Sequence, residues 1–327
     1  MNILITGGAG FIGSHLTKYF LNKNDSVTVI DNFVTGSKNN LKSETNNKLL
    51  NLVEADITNH NFSTLPAFDI VYDLASPASP KDFKNLSLEI LKANSLGLIN
   101  LLDFFLKSKS KTLVFASTSE VYGDPLEHPQ RESYFGNVNP TGIRSCYDEG
   151  KRFAEAVLFA YQRRFNLDIR IARIFNTYGP YMNKDDGRVI SNFVNQAISN
   201  QPITVYGNGN QTRSCCYISD MVKGLVLLGT TDNLKKEIIN LGNPEEKTIN
   251  EIAKLIKVLT NSNSEIIFKS INQDDPKKRC PDITKAKKLL NWNPQINLEK
   301  GLKLTINYFM SLRGTRQLAG DEVISIN

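Results

Sequence analysis

Four proton-handling side chains stand together at the end of one predicted strand. The stretch ASTSEVYG, residues 116–123, follows the apolar run 112–115 and contains Ser117, Thr118, Ser119 and Glu120. Hydroxyl and carboxyl groups placed side by side can accept, donate or orient a proton. Open α/β sheets bind ligands at the carboxyl ends of their strands, so this stretch is a candidate catalytic segment.

A tyrosine and a lysine further along the chain form a second candidate pair. Tyr147 and Lys151, in the sequence CYDEGKR, are four positions apart and share one face of a predicted helix. A free phenol titrates near ~10, but a neighbouring ammonium and a positively charged nicotinamide ring would lower this pKa. The pair is therefore predicted to act as a base and its supporting cation, and Lys151 can also hold the nicotinamide ribose. Such spacing alone more often marks a core-facing tyrosine beside a lysine.

The N-terminal sequence ITGGAGFIGSHL has the pattern of a dinucleotide-binding loop. Gly7, Gly10 and Gly13 permit a tight turn, close approach to a pyrophosphate and close packing of helix on strand. The following helix directs its N-terminal N–H groups at the phosphates. Asp31 ends the second strand, where a carboxylate accepts ribose hydroxyls and repels a 2′-phosphate, so NAD is favoured over NADP. Asp56 either reaches the adenine or fills a turn or helix-cap position, and the sequence leaves both open.

The elements that carry these residues alternate between strands and helices. Apolar or β-branched runs predict strands at 2–6, 26–31, 51–56, 69–75, 111–117 and 168–175, and amphipathic stretches predict helices at 14–23, 88–108 and 147–165. This alternation is typical of an α/β fold with a Rossmann-like, doubly wound parallel sheet and helices on both faces.

The rhythm changes after about residue 176. Turn-rich sequence at 206–211, helices at 189–199 and 249–260 and a strand at 237–242 indicate a smaller, mixed C-terminal region. We expect one domain over 1–175, to which 215–242 returns, and a second region over 176–214 and 243–312. The tail 313–327 has no clear packing pattern.

Composition argues against several other classes of protein. The formal net charge of this 327-residue chain is +6, but no basic stripe with interleaved aromatics appears, so nucleic-acid binding is not expected. Neither a membrane span nor a signal peptide is indicated, and the four cysteines lack CxxC spacing, which favours reduced thiols in a cytoplasmic protein. The three histidines are far apart, and no metal site is predicted.

The glycine pattern, the strand-end hydroxyl cluster and the Tyr-x-x-x-Lys pair together resemble the extended short-chain dehydrogenase/reductase family that acts on nucleotide sugars. Within it, DNFVTGSKNNL, LASPASP, STSEVYGDP, CYDEGKR, ARIFNTYGP and DDPKKRCPDI are similar to segments of the UDP-glucuronate decarboxylases, or UDP-xylose synthases. The resemblance runs from residue 1 to about residue 310. It implies a lyase that converts UDP-glucuronate to UDP-xylose and CO2 and recycles its NAD.

The resemblance also implies roles for the catalytic segment. Hydride transfer from sugar C4 to NAD would accompany loss of the hydroxyl proton to Tyr147, and the 4-keto acid would then lose CO2 before the hydride returns. Thr118 would hydrogen-bond the C4 oxygen, while Ser119 and Glu120 would face the C5 carboxylate. Glu120 would position a water or handle the C5 proton, and the competing interpretation is a surface acid.

Binding residues follow from the same resemblance. Those expected to hold NAD are Gly7, Gly10, Phe11, Ile12, Gly13, Asp31, Asn32, Thr35, Gly36, Asp56, Ile57, Leu74, Ala75, Tyr147 and Lys151. Those expected to hold the UDP-sugar are Asn176, Arg188, Tyr206, Gln211, Arg213 and Arg279. Arginine suits phosphate and carboxylate because its planar fork binds them in two places. Taken singly, each would more simply be a surface or turn residue.

Family members are usually homodimers joined through the helix that carries the tyrosine and the long helix near 88–108, so a homodimer is expected. Asp73 departs from the pattern, because relatives usually carry histidine there, and Cys215 and Cys216 replace an aromatic and a polar residue. These departures put local packing in doubt and leave the catalytic positions intact.

Three other functions compete with decarboxylation. A 4,6-dehydratase carries Asp between the Thr and the Glu, where this chain has Ser119. A 4-epimerase usually lacks the acid found here as Glu120, and a non-catalytic NAD sensor commonly loses the tyrosine or the lysine. Ser119 argues against dehydration, since loss of CO2 needs no protonated leaving hydroxyl.

Overall fold

Seven parallel strands form the central sheet of this computed structural model, which describes residues 1–270 and 276–314. The strands are β1 (Asn2–Thr6), β2 (Ser26–Asp31), β3 (Leu50–Glu54), β4 (Ile70–Asp73), β5 (Thr112–Thr118), β6 (Asp168–Ile174) and β11 (Ile238–Leu241). Their order is β11-β6-β5-β4-β1-β2-β3. The chain begins near the middle and winds outward in both directions, which confirms the predicted doubly wound α/β fold.

Helices cover both faces of the sheet, with α1 (Phe11–Asn22) and α6 (Ile218–Thr230) on one face and α3 (Leu98–Ser108) and α4 (Ser145–Phe165) on the other. α2 (Ser87–Lys92) packs on α4, and α8 (Thr284–Leu290) packs beside β11. In the later part of the chain α5 (Val189–Ile198), α7 (Ile249–Leu259) and α9 (Leu298–Ser311) pack on one another. The helix predicted over 88–108 is confirmed as one continuous helical stretch, in which a π-helical segment at Ala93–Gly97 joins α2 to α3. Strand residues such as Ile3, Leu4 and Ile5 are fully buried, as strands covered on both faces require.

Three two-stranded sheets accompany the later part of the chain. β7 (Thr177–Tyr178) pairs with β10 (Cys216–Tyr217) and β8 (Ile203–Tyr206) with β13 (Ile266–Lys269), both in parallel. β9 (Thr212–Ser214) pairs antiparallel with β12 (Glu246–Thr248). The strand predicted at 237–242 is β11, at the edge of the central sheet beside β6. Residues 315–327 of the predicted tail lie outside the described residues.

The structure also bears on the cysteines and on membrane-spanning segments. Cys146, Cys215, Cys216 and Cys280 are all buried free thiols. In the part of the chain that the structure describes, no helix is long and apolar enough to span a bilayer.

Candidate active site

A cavity of about 1360 Å³ opens along the carboxyl ends of the central strands. All of the predicted catalytic, NAD-binding and UDP-sugar-binding residues line it. The fold therefore brings every predicted site residue to one place, while the role of each remains a prediction. We call the part formed by Gly7–Gly13, Asp31–Gly36 and Asp56–Ile57 the glycine-loop end. We call the part formed by Thr118–Glu120, Arg144, Tyr147 and Arg279 the charged end.

The glycine-loop end is shaped by backbone packed too closely for side chains. Gly7 has φ +69°, and a Cβ there would lie 2.7 Å from the Leu74 carbonyl oxygen. A Cβ on Gly13 would lie 2.2 Å from the Gly7 carbonyl oxygen. Gly10 precedes α1 and supplies no side-chain cap, so the first N–H groups of the helix can meet a phosphate. This cradle fits the pyrophosphate of a dinucleotide.

Asp31 combines a structural contact with a place in the cavity wall. One carboxylate oxygen accepts the backbone N–H of Ala9 at 3.0 Å, and the other accepts that of Phe33 at 2.8 Å. Burial raises the pKa of Asp31, and these two hydrogen bonds act in the opposite direction. The acid thus fixes the glycine loop to the end of β2 and still presents acceptor lone pairs where a ribose is expected.

Asp56 holds a turn and also lines the cavity. Its carboxylate accepts the Thr58 N–H at 2.8 Å, the Thr58 hydroxyl at 2.7 Å and the Asn32 amide at 2.9 Å. Burial alone would raise the pKa of Asp56, but these hydrogen bonds lower it. The turn role is thus present in the structure, and contact with adenine remains a prediction.

Tyr147 lies at the start of α4, buried and stacked on Phe83 with ring centroids 5.1 Å apart. Burial raises the pKa of its phenol to about 12, against the opposite effects of the Arg188 guanidinium and the Thr118 hydroxyl. Desolvation of the phenolate thus outweighs the cations of the protein, and the lowering expected with a positively charged nicotinamide ring beside it stays a prediction. Arg188, rather than Lys151, is the cation that most favours the phenolate.

Lys151 is one helical turn from Tyr147 and equally buried in the wall of the cavity. Its Nζ donates to the Ala116 carbonyl oxygen at 2.8 Å and lies 4.4 Å from the centroid of the Phe115 ring. Burial lowers the pKa of this ammonium to about 8. The lysine is therefore fixed against β5, on the same face of α4 as the tyrosine.

Glu120 is held between two arginines. Arg144 Nη2 is 2.5 Å from one carboxylate oxygen, and Arg279 Nη1 is 3.1 Å from the other. Burial would raise the pKa of Glu120, but the two guanidinium groups hold it well below its usual range. Glu120 is therefore a fixed carboxylate that can orient a water, and it has no proton to donate in this arrangement. The surface-acid interpretation does not apply.

Arg279 connects the strand-end cluster to the second half of the chain. Beyond its contact with Glu120, it donates to the Ser119 hydroxyl at 2.9 Å and to the Gly123 carbonyl oxygen at 2.9 Å. Its side chain is almost fully buried, and its Nε has no hydrogen-bond partner among the described residues. This places it beside the predicted carboxylate position of the sugar.

Three other residues in or beside the cavity wall were not predicted. Arg144 precedes α4 and Phe83 follows the SPASP segment, and both line the cavity. Asp148 is next to Tyr147 in the sequence. Asp148 is buried, its Oδ1 has no hydrogen-bond partner among the described residues, and burial together with Glu120 raises its pKa. Nothing in residue type or spacing marked these three, since only the fold brings residues 83, 120, 144 and 279 together.

Ser117, the first hydroxyl of the cluster, serves a separate buried network. It donates to Glu155 at 2.6 Å, and Glu155 is paired through both oxygens with Arg173 at 3.0 and 2.7 Å. Arg173 also donates to the Tyr122 hydroxyl at 3.0 Å. This network ties α4 to β5 and β6, so it fixes the base of the catalytic segment.

The remaining predicted substrate residues line the rest of the cavity. Arg188 donates to the Ala78 carbonyl oxygen at 2.7 Å, and Arg213 donates to the Thr212 carbonyl oxygen at 2.8 Å. Tyr206 ends β8, and its carbonyl oxygen accepts the Gln211 amide at 2.6 Å. Asn176 follows β6 and accepts the Cys216 N–H through its backbone. These positions extend the cavity from the central sheet into the small sheets.

Three residues of the kinds that bind metals lie together in the fold although they are far apart in the sequence. Ligand atoms of His128, Glu246 and Cys280 lie within 4.8 Å of one another. His128 Nε2 and a Glu246 oxygen already pair at 2.8 Å, and burial raises the pKa of the Cys280 thiol. We interpret the group as a hydrogen-bonded histidine and carboxylate packed against a thiol.

Comparison with known proteins gives consistent results. Residues 3–242 match the sequence profile of the NAD dependent epimerase/dehydratase family. The chain is 49% identical over 307 residues to UDP-glucuronic acid decarboxylase 1 of Xenopus tropicalis, covering 94% of this chain and 72% of that protein. It is 51% identical over 305 residues to UDP-glucuronic acid decarboxylase 5 of Arabidopsis thaliana, covering 93% and 88%.

Solved structures show the same fold. A UDP-glucuronic acid 4-epimerase from Bacillus cereus, in complex with UDP-glucuronic acid and NAD, superimposes with a TM-score of 0.87 at 29% identity. That alignment covers 95% of this chain and all of the epimerase. A UDP-glucose 4-epimerase with UDP-glucose from Thermotoga maritima gives a TM-score of 0.88 at 30% identity, with 96% of this chain and 100% of that chain covered.

Proposed function

The chain belongs to the NAD dependent epimerase/dehydratase family, and from that premise we propose that it decarboxylates UDP-glucuronate to UDP-xylose and CO2. The observation that carries this proposal is the charged end of the cavity. There the buried Tyr147 lies near the fixed carboxylate of Glu120 and the buried Arg279. Position 119, between Thr118 and Glu120, is a serine and not an acid. Relatives of about half identity that are named UDP-glucuronic acid decarboxylases support the same function.

The first chemical step depends on Tyr147 and Thr118. NAD, when bound at the glycine loop, supplies the hydride acceptor and donor that interconvert the C4 alcohol and ketone. Tyr147 takes the hydroxyl proton as the C4 carbon is oxidised, and Thr118 donates to the C4 oxygen to hold it there. Because burial raises the pKa of the phenol, the base becomes effective only with positive charge beside it. Arg188 contributes part of that charge.

The second step needs little from the protein. Once C4 is a ketone, the sugar is a β-keto acid whose carbon–carbon bond breaks with electron flow into the carbonyl group. The protein must hold the carboxylate and allow a proton to reach C5. We assign the first task to Arg279 and Ser119 and the orientation of a water toward C5 to Glu120, whose depressed pKa keeps it ionised.

One experiment tests this function directly. Purified protein is incubated with UDP-glucuronate and NAD without added NADH, and the nucleotide sugars and CO2 are followed by NMR. We expect UDP-xylose and CO2 in equal amounts. UDP-galacturonate would identify a 4-epimerase instead, and a 4-keto sugar as the only product would contradict a recycled cofactor.

We further propose that residues 1–175, with 215–242, hold NAD, and that 176–214 with 243–312 holds the UDP moiety. The position of the glycine loop in the first part supports this division. Arg213, Tyr206 and Gln211 line the cavity from the second part. Replacing Arg213 with Met should therefore raise the KM for UDP-glucuronate and leave NAD binding unchanged.

We also propose a homodimer as the working state. Leu88, Leu91, Leu96 and Phe153 are 63, 40, 57 and 48% exposed, and they lie on α2, the π-helical segment and α4, which pack together. Exposed apolar side chains gathered on neighbouring helices favour association with a second copy. Light scattering should give twice the chain mass for the wild type and a monomer for Leu88→Glu. Leu126→Glu, on a loop and 83% exposed, is the matched control that should stay dimeric.

A further inference from the structure

The buried ammonium of Lys151 raises a question of charge balance. A lysine with about 3% of its surface exposed loses its proton readily unless a carboxylate faces it. The one hydrogen bond described for its Nζ is to a neutral carbonyl oxygen, that of Ala116. Two carboxylates act on it electrostatically, Asp73 and Glu155.

Glu155 is already neutralised. Arg173 contacts both of its oxygens, and Ser117 donates a third hydrogen bond. The negative charge of Glu155 is therefore balanced by the Arg173 guanidinium at 2.7 Å and not by Lys151. The carboxylate that remains to balance Lys151 is Asp73.

Asp73 is placed for that task by the sheet. It ends β4, opposite Thr6 of β1 and Phe115 of β5, and Phe115 is the ring over which the ammonium lies. Its side chain is almost fully buried, and one oxygen accepts the Thr6 hydroxyl at 2.6 Å and the Ala75 N–H at 3.4 Å. Both partners are neutral, so its charge is available to the lysine.

We propose that Asp73 is the counter-charge of Lys151, a positioning residue that keeps this ammonium protonated where it is expected to hold the nicotinamide ribose. The inference deepens the proposed function, since it rests on that role of Lys151. Burial lowers the pKa of Lys151 to about 8, and Asp73 acts to raise it. Burial raises the pKa of Asp73, and the Thr6 hydroxyl and the Lys151 ammonium act in the opposite direction.

The test is NAD⁺ binding by isothermal titration calorimetry as a function of pH. Asp73→Asn keeps the shape and removes the charge, so the pKa of Lys151 should fall by about one unit. At pH 6 the variant should bind NAD⁺ within about twofold of the wild type. At pH 8, where the wild-type lysine is half protonated, binding should be about fivefold weaker, because the protonated fraction falls from about one half to about one tenth.

Three controls separate this role from a structural one. In a Lys151→Met background, Asp73→Asn should have no effect on the pH dependence. Asp220→Asn, which removes a buried carboxylate that accepts the N–H groups of Gln295 and Ile296, should leave it unchanged. Asp73→Ser, which keeps a hydrogen-bonding partner for Thr6, replaces the Asn variant if that variant does not fold.

The proposal is overturned if Asp73→Asn binds NAD⁺ with the wild-type pH dependence, or equally weakly at all pH values. Failure of the proposed function would look different. The wild type would then bind NAD⁺ with the described pH dependence and make no UDP-xylose.

Discussion

The two ends of the cavity are built by different physical means. At the glycine-loop end, the ligand surface is backbone: three glycines, the start of α1 and the ends of β1 and β2, all within the first 60 residues. At the charged end, it is side chains: Glu120, Arg144, Tyr147 and Arg279, which come from three separate segments of the chain. The first end depends on space that a methyl group would fill, and the second on charges that balance one another.

This difference bears on what each end can tolerate. A backbone cradle fails by steric exclusion, since no side-chain movement can restore the lost space. A cluster of opposed charges fails by leaving one buried partner uncompensated, and the consequence then depends on pH. Substitutions at the two ends should therefore differ in their pH dependence as well as in size.

The largest effect is expected for Tyr147→Phe at the charged end. The variant keeps the ring that stacks on Phe83 and removes the group that accepts the C4 proton. Turnover of UDP-glucuronate should fall by about 10³-fold or more, since a positioned general base contributes about 10²–10⁴. NAD⁺ affinity, measured by calorimetry, should stay within about threefold of the wild type, because the glycine-loop end is untouched. Wild-type turnover would show that another group is the base.

A smaller but purely steric effect is expected for Gly13→Ala. The added Cβ would lie 2.2 Å from the Gly7 carbonyl oxygen, so the loop must move. We expect NAD⁺ binding to weaken by about 30–100-fold, at all pH values alike, which corresponds to about 2–3 kcal/mol of overpacking.

Gly150→Ala is the matched control for that prediction. Gly150 is also a helical glycine, but a Cβ there meets its nearest atom at 3.7 Å. This variant should bind NAD⁺ as the wild type does and unfold at the same or a higher temperature, since alanine favours the helix. If both variants lost NAD⁺ affinity equally, the loss in Gly13→Ala could not be assigned to steric exclusion at the glycine-loop end.

The contrast also explains how much could be predicted from the sequence. The parallel sheet followed from buried runs such as 26–31 and 168–175, and the glycine-loop end followed from one local motif. Both depend on residues close together in the chain. The helix at 88–108 was also predicted, but its π-helical segment at Ala93–Gly97 was not, because one wider turn inside a long helix leaves no local signal in the sequence.

The charged end could be predicted only in part. Tyr147, Lys151 and the strand-end cluster were found by their spacing, and Arg279 by resemblance. The pairing of Glu120 with Arg144, and the buried Asp148, depend on how α4 packs beside the end of β5. The burial that raises the pKa of Tyr147 depends on the fold as well, and it cannot be seen in the sequence.

An effect of about twofold, dependent on pH, is expected for Arg144→Met. Arg144 and Arg279 together hold the pKa of Glu120 low, against burial, which raises it. Removing one cation should raise that pKa by about 1–2 units, from about 2 to about 4 at most, so about half of Glu120 becomes protonated at pH 4. Turnover at pH 4 relative to pH 8 should therefore drop about twofold more than in the wild type.

Two variants identify the group whose protonation lowers turnover at low pH, which we call the acid limb of the pH profile. Arg144→Lys retains a positive charge and should show a smaller shift. In Arg144→Met/Glu120→Gln the acid limb should disappear because the titrating carboxylate is gone, although turnover is lower at every pH. A limb that persists there would assign the titration to Asp148, the other buried carboxylate of the cluster.

The smallest effect is expected for Asp56→Asn. It tests whether Asp56 contacts the adenine or only holds a turn, two roles that the sequence left open. Both carboxylate oxygens are occupied by Thr58 and Asn32, so the turn role predicts a cost in stability rather than in binding. We expect the free energy of unfolding to fall by about 0.5–1 kcal/mol in chemical denaturation, as for one ordinary hydrogen bond. NAD⁺ affinity should stay within about twofold, because the backbone cradle remains intact. If affinity instead fell tenfold at unchanged stability, Asp56 would be an adenine contact, and the glycine-loop end would depend on a side chain after all.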